Sequence, residues 1–290
     1  MAEEVTVIRH AAEELAATLP PLLVAAERIA ATVSAGIHGR RRVGPGESFW
    51  QFRRYLPGDP VQSIDWRQSA KSDPVFVREH EWAAAQSIWL WLDRSPSMDY
   101  RSERSLPTKQ ERGMLLVLAL AALLVRGGEK VALLDDTEPP AMGRAILARL
   151  AATLAARPPA AESLPSRTRF PRHAQVVLVG DFLAPLEDID ARLRDLAGRG
   201  VQGHLLQVLD PVEEAPPFAG RIRFFGLEGE PDHLVTRAED LRDEYMARLR
   251  RHREAIAAIT TRIGWSFGLH HTDGSPQTAL LALHAMISGR

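Results

Sequence analysis

The chain has 290 residues; 45% are apolar and 25% charged, and 36 Lys and Arg nearly cancel 37 Asp and Glu. This near-average composition excludes a disordered or low-complexity chain. A net charge of -1 excludes a global pull toward nucleic acid or an anionic membrane. The absence of cysteine excludes disulfides, thiolate metal sites, iron–sulfur clusters and cysteine nucleophiles. The opening MAEEVTVIRH is mixed and charged, unlike a signal peptide. The longest apolar run, Met114 to Val125, is too short to span a bilayer and reads as a buried helix. A cytoplasmic protein without membrane insertion is expected.

Three segments follow in chain order. Residues 1–37 are an N-terminal helical segment, with Leu22, Ala26, Ile29, Val33 and Ile37 on one face at steps of three and four. Residues 38–82 cluster Gly, Pro, Arg and aromatics without a helical period, which predicts turns and short strands. Residues 83–290 alternate strand and helix. Strands are expected at 87–92, 130–134, 175–179 and 203–209. Helices are expected at 108–126, 141–156 and 187–198, several closed by glycines such as Gly127-Gly128. A short strand near 222–227, a long helix near 237–263, a strand at 265–270 and a helix at 277–288 complete the pattern. The buried face of the long helix is expected to carry Leu241, Tyr245, Leu249, His252, Ile256, Ile259 and Ile263. This alternation predicts an α/β fold, a doubly wound and mostly parallel sheet with helices on both faces.

Ligands of such sheets sit at the carboxyl ends of the strands. Two strands end in aspartate there: Asp93, opening Asp93-Arg94-Ser95-Pro96-Ser97-Met98, and Asp181 after Gly180. Asp93, Ser95 and Ser97 alternate, so a carboxylate and two hydroxyls share one side of a tight loop. Asp181 approaches from another strand. These hard oxygen donors suit Mg2+ or Mn2+. Short Asp and Ser side chains also serve as ordinary turn formers and helix caps.

The pattern resembles the metal-ion-dependent adhesion site (MIDAS) of von Willebrand factor A-like domains, Asp-x-Ser-x-Ser followed by a Thr and an Asp from later loops. That resemblance implies a metal held by Asp93, Ser95, Ser97 and Asp181, with an open position filled by a partner's carboxylate. The Thr has no match: Thr137 is the only hydroxyl in its expected stretch, and it falls early.

Upstream lie Phe49-Trp-Gln-Phe-Arg-Arg-Tyr-Leu-Pro-Gly-Asp59, Ile64-Asp-Trp-Arg-Gln-Ser-Ala-Lys71 and Phe76-Val-Arg-Glu79. Here the chain resembles the domain-of-unknown-function 58 family through Tyr55, Gly58, Asp59, Ile64, Asp65, Trp66, Ala70, Arg78 and Glu79. Lys71, Pro60 and Gln62 depart from its usual residues. Together the two resemblances imply a protein–protein interaction module assisted by a divalent metal, magnesium (Mg2+) or Mn2+, and an adaptor or co-chaperone role beside a MoxR-type AAA+ ATPase, with that ATPase or its client as the partner. On physical grounds, Asp59 and Asp65 among Arg53, Arg54, Arg67 and Lys71 suit an ion-pair network anchored by Tyr55 and Trp66. Tyr55, Asp59, Asp65, Trp66 and Arg78 are therefore expected to form either a structural clasp or a partner-binding surface. The acids beside Arg40–Arg42 argue against a phosphate track.

Two alternatives compete with a binding module. One is a metal-free structural scaffold. The other is a phosphatase of the haloacid-dehalogenase type with Asp93 as nucleophile, which Ser95 opposes because an acid belongs at that position. His270-His271-x-Asp273 reads as a strand end with side chains to opposite sides.

Overall fold

The computed structural model describes residues 23, 25–34, 49–55, 64–71, 74–80, 86–158, 160, 162–166, 174–217, 219–226 and 232–287. A helix α1 covers residues 25–34. Strands β1 (Phe49–Arg54) and β2 (Phe76–His80) flank a one-turn helix α2 (Trp66–Ser69). Then come β3 (Ser87–Leu92), α3 (Lys109–Arg126), β4 (Lys130–Leu133), α4 (Arg144–Ala156), β5 (Gln175–Gly180), α5 (Leu186–Gly198) and β6 (Gln202–Leu209). The chain continues through α6 (Pro211–Glu214), β7 (Ile222–Phe224), β8 (His233–Val235), α7 (Ala238–Arg262), β9 (Ser266–His271) and α8 (Pro276–Ile287).

Five strands form one sheet in the order β4-β3-β5-β6-β9, every neighbour parallel. The expected α/β fold is thus realised. A parallel strand buried on both faces needs apolar residues at every position, which Ser87-Ile-Trp-Leu-Trp-Leu92 supplies. The period of two sorts them. Ile88, Leu90 and Leu92 join a core with α1, α3, α4 and α8, while Trp89 and Trp91 join a second core with α5 and α7. Of the α1 face, Ala26, Ile29 and Val33 are buried in the first core.

The short strand expected near residue 222 is present as β7, paired antiparallel with β8. One expectation needs correction. On α7, Leu249, Ile256 and Ile259 are buried, but Leu241 and Tyr245 are 44% and 43% exposed. The cause is length: 25 residues of helix run about 38 Å, whereas six residues of β9 span about 20 Å. The first turns of α7 therefore overhang the sheet and lie beside the β7–β8 hairpin.

In the segment 38–82, β1 and β2 pair antiparallel, as the turns and short strands suggested. Asp59 lies outside the described residues, and Arg78 sits in β2 opposite Phe52. Tyr55 is half-buried and its backbone N–H donates to Val75 O at 2.8 Å. The Asp65 backbone carbonyl accepts from both Ser69 N and Ser69 Oγ. Trp66 is 64% exposed, so it does not anchor the segment by burial. Its position at the start of the short α2 turns the indole outward.

Two buried histidines make the sheet acid-sensitive. His204 on β6 bonds Ser266 Oγ at 2.7 Å, and His270 on β9 lies beside Arg112. Burial pushes both down to about 4, for His270 with help from Arg112. A depressed histidine contributes stability above its ordinary value of 6.5 and loses it as pH falls through the folded value. Denaturant unfolding between pH 7 and 4 should therefore show a loss on the order of 3 kcal/mol per histidine at most. His204→Phe should flatten the slope, and an unchanged slope would count against a neutral buried imidazole.

Candidate cation and partner-binding site

In the sheet order β4-β3-β5-β6-β9, successive connections from β3 and from β5 leave toward opposite faces. The crevice between the ends of β3 and β5 is therefore the topological switch point, where doubly wound folds bind ligands. Asp93 and Asp181 follow these two strands and are both fully buried. Gly180 permits their approach: a Cβ there would fall 2.7 Å from Asp93 Cβ, closer than real side chains come.

The four residues expected to act together do meet. Asp93 Oδ1 accepts from Ser95 N at 2.8 Å, which closes the loop. Ser95 Oγ lies 3.0 Å from Ser97 Oγ, and Ser97 Oγ donates to Asp181 Oδ2 at 2.7 Å. Pro96 opens a single 3-10 turn over Pro96–Met98. Arg94 points away and donates to the carbonyls of Leu154 and Arg157, tying the loop to the end of α4. On the Asp181 side, Gln207 Nε2 donates to the Asp181 carbonyl at 2.7 Å. Phe182 follows in the left-handed region with φ 50, and His252 Nε2 bonds its carbonyl at 2.7 Å. Such a conformation costs on the order of 1–3 kcal/mol and persists only where the surroundings impose it.

Sequence reasoning missed the central residue. Lys109 is 1% exposed, and its ammonium lies 2.9 Å from Asp181 Oδ2 and 2.6 Å from Glu213 Oε1. Thr108 caps α3: its hydroxyl accepts from Glu111 N while Glu111 Oε2 accepts from Thr108 N, so Lys109 is the first helical residue. Glu213 belongs to a second capping box. Its Oε2 accepts from Asp210 N at 2.7 Å, and Asp210 accepts from Val212 N and from Ser102 N. The Tyr100 ring lies 5.9 Å from the ammonium, within cation–π range.

The magnitudes decide the charge state. A helix N-terminus disfavours a cation by about 0.3–1 kcal/mol and favours the two carboxylates by similar amounts. Stripping one partner from a buried pair costs about 3–5 kcal/mol, so the pairing dominates. Burial alone would lower the Lys109 ammonium, but the charges and hydrogen bonds of Asp181 and Glu213 outweigh it and hold it above 10.5.

The oxygen donors have the chemistry for Mg2+ or Mn2+, but their arrangement does not fit one. Asp181 Oδ2 already accepts from Ser97 and Lys109, and the ammonium sits against the carboxylates. Among the described residues no group of three or more His, Asp or Glu is placed to hold a metal. Thr137 is exposed on the β4–α4 connection. The neighbouring histidines part as expected: His271 Nε2 lies 2.5 Å from Glu214, while His270 faces Arg112.

Two outcomes follow. Lys109→Met should destabilise the chain by about 3–5 kcal/mol at neutral pH, because the buried Asp181 and the partly buried Glu213 lose their partner. A raised lysine contributes stability below 10.5 and loses it as pH rises through the folded value. Melts of wild type and Lys109→Met should therefore stay apart up to pH 10.5 and draw together only above it, and curves that stay parallel throughout would contradict the pairing. Gly180→Ala should also lower the melting temperature by forcing Asp93 from the β5 end, and an unshifted melt would refute that close approach.

The chain resembles known proteins at several levels. It is 26% identical over 259 residues to the uncharacterized proteins Rv1480 of Mycobacterium tuberculosis and Mb1516 of Mycobacterium bovis, covering 84% of this chain and 80% of each relative. Among solved structures, an aerotolerance-related membrane protein from Bacteroides fragilis aligns at 18% identity with a TM-score of 0.41, over 71% of this chain and all of that one. BatB from Bacteroides thetaiotaomicron aligns at 16% identity with a TM-score of 0.40, over the same shares. Residues 51–255 match the family described as protein of unknown function DUF58, a span that takes in β1 through most of α7 and every residue of the site above, so the chain belongs to the DUF58 family.

Proposed function

We propose that the chain is a protein-binding module that engages its partner at the carboxyl edge of the sheet. One observation carries this reading. An apolar cleft of about 430 Å³ opens beside the Asp93 loop, lined by Tyr100, Val212, Phe224, Val235, Leu241 and Tyr245 and reaching Ser97 and Glu213 at its floor. Phe224, Leu241 and Tyr245 are each about two-fifths exposed, and Phe225 and Leu234 extend the apolar surface. Apolar side chains gathered this way at a functional edge are the ordinary mark of a contact surface. Aromatic residues in such a position carry much of the energy of protein interfaces.

The occupant is an apolar segment of a protein partner. The family resemblance makes a MoxR-type AAA+ ATPase, or its client, the partner of choice, with this chain as adaptor. Complete burial of Asp93 supports binding over phosphoryl transfer, since a nucleophile needs access to its substrate. No helix among the described residues is long and apolar enough to cross a membrane.

Leu241→Glu tests the cleft. It replaces an exposed residue, so folding should survive. Affinity for a purified MoxR-type ATPase of the same organism, read by calorimetry, should fall at least tenfold, about 1.4 kcal/mol. Equal affinity for wild type and variant would reject the cleft as the contact surface.

A further inference from the structure

We propose that Lys109 is the resident cation of this site, a tethered ammonium standing where the Asp93 loop and Asp181 would otherwise hold a divalent metal. Glu213 then supplies, from within the chain, the outer carboxylate that a metal-centred site takes from a partner. This rests on the binding reading only for the place of the site.

Three features carry it. First, the donors are turned on one another and not toward a metal. The Ser97 hydroxyl hydrogen is directed at Asp181 Oδ2, Ser95 is within hydrogen-bond reach of Ser97, and the ammonium completes the chain at 2.9 and 2.6 Å. Mg2+ demands about six oxygens converging at roughly 2.1 Å, and here Asp181 Oδ2 is already held by the Ser97 hydroxyl and the Lys109 ammonium. Second, the ammonium is built in. Lys109 starts a helix fixed by a double cap, its N–H donates to Tyr100 O at 3.1 Å, and Gly113 one turn later lets α3 approach β3 so closely that a Cβ would meet Leu92 at 2.6 Å. Third, a positive charge already stands against Asp181. The buried Asp181 and the partly buried Glu213 flank the buried ammonium, and a divalent ion added on Asp181 Oδ2 would lie beside that positive charge and be repelled by it. Recognition at this edge therefore needs no metal. The same oxygens become a metal site only when the lysine is removed.

Mn2+ titration of the isolated full chain at neutral pH, following free Mn2+ by its paramagnetic resonance, tests this apart from any partner. Wild type should leave the Mn2+ signal unchanged into the millimolar range. Lys109→Ala should gain one site at least tenfold tighter than wild type, and Asp181→Asn in that background should abolish it. Wild-type uptake of one Mn2+ that Asp181→Asn removes would overturn the proposal, as would a folded Lys109→Ala chain that takes up none. Should Lys109→Ala fail to fold, wild type labelled with nitrogen-15 decides: its Lys109 ammonium resonance should stay protected and unshifted in excess Mg2+. A resonance that shifts or vanishes would overturn the proposal. Loss of the ATPase interaction in the Leu241→Glu experiment would leave these outcomes untouched.

Discussion

A buried ammonium between two carboxylates, one buried and one partly buried, organises the functional edge of this molecule. Lys109 ties the start of α3 to the end of β5 through Asp181 and to the segment after β6 through Glu213. Three pieces of chain far apart in sequence thus share one charge cluster. An unpaired charge at such a depth costs several kcal/mol, which holds the three pieces together. The hydroxyls of Ser95 and Ser97 extend the cluster to the Asp93 loop.

The parallel sheet makes this arrangement available. Its switch point leaves a crevice between β3 and β5, and the short β3–β5 spacing at Gly180 brings the two aspartates to its walls. Both helix starts at the rim carry capping boxes, one at Thr108 and one at Asp210. Each places its first turn rigidly, and each delivers one partner of the ion pair. Glu213 serves both roles, one oxygen closing its cap and the other meeting Lys109. The apolar cleft rises from this same floor, because α7 is longer than the sheet and its overhanging turns meet the β7–β8 hairpin.

Much of the fold was legible from periodicity. The run Ser87–Leu92 announced a buried strand, and the apolar run after it a helix over 108–126. Sheet order was not legible, since parallel strands buried on both faces carry no mark of their neighbours. The α7 face was misread at Leu241 and Tyr245 because helical spacing shows an apolar stripe without showing where the sheet beneath it ends.

Of the site, Asp93, Ser95, Ser97 and Asp181 were found from their place at strand ends, and they do converge. Lys109 was missed because a lysine in a first helical turn ordinarily lies in solvent. Its signal was present only jointly: a cation at a dipole-disfavoured position, one residue after a cap, facing a strand end that carries Asp. Glu213 was readable in Asp210-Pro-Val-Glu213, a capping box with proline at the first helical position. The most direct test of the central claim is a crystal structure grown with Mn2+ and read by anomalous scattering. The account predicts no anomalous peak at the switch point and an Lys109 ammonium in hydrogen-bonding contact with both Asp181 and Glu213. A peak bound by Asp93, Ser95, Ser97 and Asp181, with Lys109 turned away, would contradict it.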